Sequence, residues 1–149
     1  MTDTLPLFRR ACVAAFTAMA LLSSFASAAA AAAPSQFARP VMVGIDGPDQ
    51  SACSGQGEVR GLGAEGDQRL SVLSGPHAAA VEIDRLRNGV AIILCDSSRD
   101  GKWSGIVYPA PGQVLADCVL AGPVARPTPY RGPCRSGWVA STFVVVTPG

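Results

Sequence analysis

Between residues 34 and 149, glycine or proline interrupts every stretch before a helix could complete several turns. A helix interior loses about 1 kcal/mol at each Gly and about 3 kcal/mol at each Pro. This part of the chain is therefore expected to build from short strands and turns. The runs between the breaks agree with that. Residues 58–62 are a weak strand candidate, and residues 70–73 form a short one that stops at Ser74-Gly75-Pro76. Residues 81–86 set Val81, Ile83 and Leu86 among charged neighbours and end at Asn88-Gly89. Residues 90–95 are continuously apolar, the pattern of a strand buried on both faces. Asp100-Gly101 then signals a hairpin, with residues 103–108 as the returning strand. Residues 143–146 are a last apolar run, with three valines.

The segment 109–135 breaks this rhythm. It holds six of the chain's 12 prolines. Central strands exclude proline, so an extended loop or edge excursion is expected there. A loop of that length is either functional or tied down. Residues 29–50 read as a linker, because Ala, Pro and Gly dominate and no periodicity persists. The folded part is expected over residues 51–149.

The first 28 residues have the form of a signal peptide. Arg9 and Arg10 precede an uncharged apolar stretch, and Ala26-Ser27-Ala28 fits a small-x-small cleavage pattern. A retained membrane anchor is the competing reading, since no charged residue stands between Arg10 and Arg39. The Ala- and Ser-rich second half of that stretch suits cleavage better. From residue 34 onward ten basic residues face ten acidic ones, with no long run of either sign. A near-neutral chain of this kind lacks the basic patch that nucleic-acid binding requires.

Five cysteines are present, and Cys12 lies within the leader. The other four, Cys53, Cys95, Cys118 and Cys134, form an even set behind an export signal, which reads as two disulfides. Three pairings are open. The local loop favours Cys118 with Cys134, which leaves Cys53 with Cys95. Zinc is disfavoured: no Cys-x-x-Cys pair occurs and His77 is the single histidine. No cofactor is expected.

The order of motifs resembles the bacterial SH3-like (SH3b) domain family. Leu70-Ser71-Val72-Leu73-Ser74-Gly75-Pro76 is similar to its opening motif. Residues 83–89, ending at Asn88-Gly89, look like the following strand and turn, and Trp103 fits the next strand. Gly137-Trp138-Val139 with Ser141-Thr142-Phe143 resembles the closing strand and 3₁₀ turn. Leu73 stands where the family usually has Arg, and the Pro-rich segment 109–135 intervenes before the closing motif. The resemblance implies an all-β, SH3-like barrel of about five short strands, to which this chain is expected to add the Pro-rich insertion and the two disulfides. It further implies an extracytoplasmic setting in which such domains bind cell-wall peptides or assist a partner.

Other motifs point to less. Gly61-Leu62-Gly63-Ala64-Glu65-Gly66 fits a G-x-G-x-x-G pattern, but no helix follows to complete a dinucleotide site, and a turn is expected. His77 sits in a turn with no nucleophile motif beside it, so a surface role is expected and catalysis is not. Trp138 and Phe143 read as core. Trp103, Tyr108 and Tyr130, with Arg131, are the candidate ligand-binding set, since aromatic grooves in small barrels take extended peptides. Arg126 and Arg135 stand close to Arg131 in sequence, and a forked guanidinium suits a carboxylate. The expectation is an exported, non-catalytic module that binds a cell-wall peptide or an envelope protein. Two other classes stay open: a scaffold that packs on a partner without a groove, and, more remotely, a small hydrolase.

Overall fold

A computed structural model describes residues 36–63, 68–118, 120 and 122–148. The expected signal peptide (1–28) and the first residues of the expected linker lie outside them. Nine strands follow in order: β1 (Met42–Val43), β2 (Gly55–Val59), β3 (Leu70–Leu73), β4 (Glu82–Leu86), β5 (Ala91–Ser97), β6 (Trp103–Tyr108), β7 (Thr128–Pro129), β8 (Arg135–Ala140) and β9 (Val144–Thr147). The described residues contain two 3₁₀ turns, Leu115–Cys118 and Ser141–Phe143, and no α-helix. None of their helical segments is long and apolar enough to cross a membrane.

Seven strands form one antiparallel sheet in the order β4-β3-β8-β6-β5-β2-β9, and β1 pairs with β7 separately. This corrects the expectation of about five strands closed into a barrel. No ladder joins β4 to β9, so both remain edges. The turn after β4 reaches the chain beyond β2 through a side chain instead. Asn88 Nδ2 donates to the Leu62 carbonyl at 3.0 Å, and the Leu62 N–H donates to Asn88 Oδ1 at 3.1 Å. A single amide can bridge two backbones, but it cannot propagate a ladder.

The sheet carries an apolar core on each face, and the period of two along each strand explains how. On β6, Ile106 and Tyr108 enter one core while Val107 enters the other. On β5, Ile92 and Leu94 take the first side, Ile93 and Cys95 the second. That is why residues 90–95 read as a run without alternation. On β8, Val139 and the wholly buried Trp138 divide in the same way. The inner core is built by β2 to β6 and β8, with Val144 of β9 and Phe143 packed against it. The outer core lies under a cover made of residues 37–53 and the segment 115–134.

Residues 36–50 are thus part of the fold, although their composition reads as a linker. Val41 and Val43 are buried in the outer core, and Met42 pairs with Pro129. The Pro-rich segment is a loop excursion as expected; among its described residues only the two of β7 and Arg135, where β8 begins, are in strand form. Its role is to cover the sheet. Both disulfides are formed, Cys53–Cys95 and Cys118–Cys134. All four cysteines belong to the outer core, where the cover meets the sheet. Such bridges persist in an oxidising environment, as an exported chain meets.

Of the apolar residues in 81–86, only Leu86 is buried; Val81 and Ile83 are exposed.

Candidate functional site

The cover is fastened over Trp138. Asp96 is only 7% exposed, and a carboxylate there must be paired. It accepts from Arg39 Nη2 at 2.7 Å, from the Met42 N–H at 3.1 Å and from its neighbour Ser97 N–H at 2.7 Å. The Arg39 guanidinium also lies 4.4 Å over the Trp138 ring. Trp138 Nε1 donates to the Arg39 carbonyl at 2.7 Å, so the strap before β1 is held by backbone and side chain together. Gly105 lets β5 and β6 approach here: a Cβ would sit 2.6 Å from Asp96 Cβ.

Beside this fastening, the two parts of the cover leave a groove of about 400 Å³. Val43 and Ala52 form one wall; Pro123, Val124 and residues 128–132 form the other. Gly44 adopts φ +76°, and a Cβ on it would meet Val124 Cβ at 2.9 Å, so the walls touch closely at that end. Tyr130 lines the groove. Its hydroxyl donates to the Cys118 carbonyl at 2.9 Å and accepts from the Cys134 N–H at 3.2 Å, bracing the loop closed by that disulfide. Arg131 is exposed and is the single charged residue of the lining. It makes no ion pair among the described residues. The cavity therefore offers apolar walls, an aromatic face and one cation. A neighbouring cavity of about 600 Å³ is larger but has no ionisable side chain free to act, since its one cysteine is bridged.

The four residues expected to share a ligand site do not. Trp103 and Tyr108 stand at opposite ends of β6 and on opposite faces of the sheet. Trp103 is half-buried against the outer core. Tyr108 is buried in the inner core. Its hydroxyl donates to Asp84 Oδ2 at 3.0 Å, and Arg135 Nη1 lies 2.7 Å from the same oxygen. Arg135 is thereby committed and does not join Arg126 and Arg131. Only Tyr130 and Arg131 are brought together in the groove. Val43, Ala52 and Val124 were not among the expected site residues, and the brief alternation Val41-Met42-Val43 is their only sequence signal.

The Asp84 cluster has its own electrostatics. Burial alone would push the Asp84 carboxyl up, but hydrogen bonds from Arg135, the Arg85 N–H and Tyr108 outweigh it and hold it below the usual aspartate range. Burial, and then the adjacent Asp84, raise the Tyr108 hydroxyl. The Asp84 hydrogen bond and charge raise Arg135. A carboxylate depressed in the folded state stabilises the fold above its unfolded pKa and loses that contribution as pH falls through the folded value. Wild type is therefore expected to exceed Asp84→Asn in stability at neutral pH, with the gap closing below roughly pH 4. Urea unfolding of both proteins across that range checks it.

No family model matches this chain, and no curated protein or solved structure matches it either.

Proposed function

We propose that this protein is an exported, non-catalytic binding module whose groove takes an extended, carboxylate-bearing peptide of the cell wall or of an envelope protein. The observation that carries this reading is the pairing of Tyr130 with Arg131 in a groove with no opposing charge. Apolar walls accept side chains, and a free guanidinium accepts a carboxylate in fork geometry. Two disulfides support a setting outside the reducing cytosol, periplasmic or secreted. The positions of the motif strands support an SH3-like relationship: Leu70–Leu73, Trp103–Tyr108 and Arg135–Ala140 lie on neighbouring strands of one sheet.

Purified peptidoglycan is the first probe. The oxidised protein is expected to co-sediment with it saturably. Arg131→Ala should weaken that binding about tenfold, the scale of one charge-assisted hydrogen bond. Arg131 is exposed, so near-UV circular dichroism should be unchanged. Binding that is absent, or indifferent to Arg131, contradicts the assignment.

A further inference from the structure

The sheet ends on two edges of opposite character. At one, β4 carries Glu82, Asp84 and Arg85. Glu82 is engaged by Ser71 and Arg85, and Asp84 by Tyr108 and Arg135. Charged residues on an edge strand deter pairing with another chain. At the other edge β9 has no such guard. Residues 144–147 are Val-Val-Val-Thr, all β-branched, and no charged residue occurs from Ser141 to Gly149. Val145 is 49% exposed and Val146 66%. One side of β9 is laddered to β2, from Gln56↔Thr147 to Val59↔Val144. Its other side has no strand partner among the described residues.

We propose that β9 is a self-association edge, at which two copies of this chain pair antiparallel about a twofold axis. The chemistry selects a second copy. An antiparallel twofold pairing keeps each side chain on its own face and opposes only residues that share a face, so Val145 faces its own symmetry mate and Val144 faces Val146. Each of these pairs is uncharged and β-branched, which is the favourable class of cross-strand pair. The same operation on β4 brings clusters of committed charges together. A formal net charge of only +1 leaves little long-range repulsion between copies. The contact is isologous and closes as a dimer, joining the two seven-stranded sheets into one. It stands independently of the groove, which the strap and the Pro-rich segment build.

Sedimentation velocity of the oxidised protein over a concentration series tests the proposal. The expected result is a reversible monomer–dimer equilibrium. Val145→Lys and Val146→Lys should each abolish the dimer, because each sets a lysine within reach of its symmetry mate. Both side chains are substantially exposed, so circular dichroism and Tm should hold in the monomeric variants. Amide exchange on β9 reads the contact without mutation and should slow as the dimer forms. A wild-type protein that stays monomeric to its solubility limit overturns the proposal. A dimer that survives both lysines, or an open-ended oligomer, also overturns it.

Discussion

Trp138→Ala is expected to lower the free energy of unfolding by about 3–5 kcal/mol, the usual range for a fully buried tryptophan. Few single changes here should cost more. The ring is wholly buried in the outer core. Its loss leaves a cavity and also removes two fastenings of the strap. The Arg39 carbonyl loses its donor at 2.7 Å, and the Arg39 guanidinium loses the ring beneath it. Asp96 would keep Arg39 only through the side chain. Trp138→Phe retains most of the packing and discards the N–H, so it separates the two contributions. Denaturant unfolding of both variants reads the difference. A loss below about 1 kcal/mol for Trp138→Ala would mean that the outer core is not packed as described.

The second large effect concerns the disulfides. Replacing Cys53 and Cys95 together by Ser should cost about 2–4 kcal/mol. The bridge spans 42 residues and ties the end of the strap to β5. The distribution of the effect is more telling than its size. The four bridged cysteines lie in the outer core and none of them in the inner one. Hydrogen exchange should therefore quicken across residues 37–53, while amides beside Val59, Ile106 and Val139 keep more of their protection. Uniform loss of protection would show that the two cores unfold as one unit.

Much of this fold was legible from local chemistry. The Asp100-Gly101 turn and the strand after it needed only turn preference and pattern, and β6 spans Trp103–Tyr108 as expected. Gly101 has the positive φ, +70°, that such a turn demands. Loop length favoured Cys118 with Cys134 among three open pairings, and it was the structure that fixed this bridge and Cys53–Cys95. What stayed hidden depends on distant contacts. Val41-Met42-Val43, set between Pro40 and Gly44, is too short to show a period, yet it supplies the strap of the outer core. Closure of the sheet hinged on whether β4 meets β9, a contact that no local motif specifies.

The site divides in the same way. Tyr130 and Arg131 adjoin in sequence and stay together in the groove. Trp103 and Tyr108 are five residues apart on one strand, so strict alternation alone places them on opposite faces. Their separation was readable once the strand was accepted. The opposite wall was not, because Val43 and Ala52 reach Tyr130 only through the strap. There the Tyr130 N–H donates to the Val41 carbonyl at 2.9 Å.

The most direct test of the account is to map binding onto the two faces of the sheet. Soluble peptidoglycan fragments would be titrated into the oxidised, isotope-labelled protein while its backbone amide resonances are followed. The account predicts saturable shifts at Val43, Ala52, Val124 and Tyr130 to Gly132, with little change at inner-core residues such as Val59 and Val139. Shifts confined to the inner face, or none at saturating fragment, would contradict it.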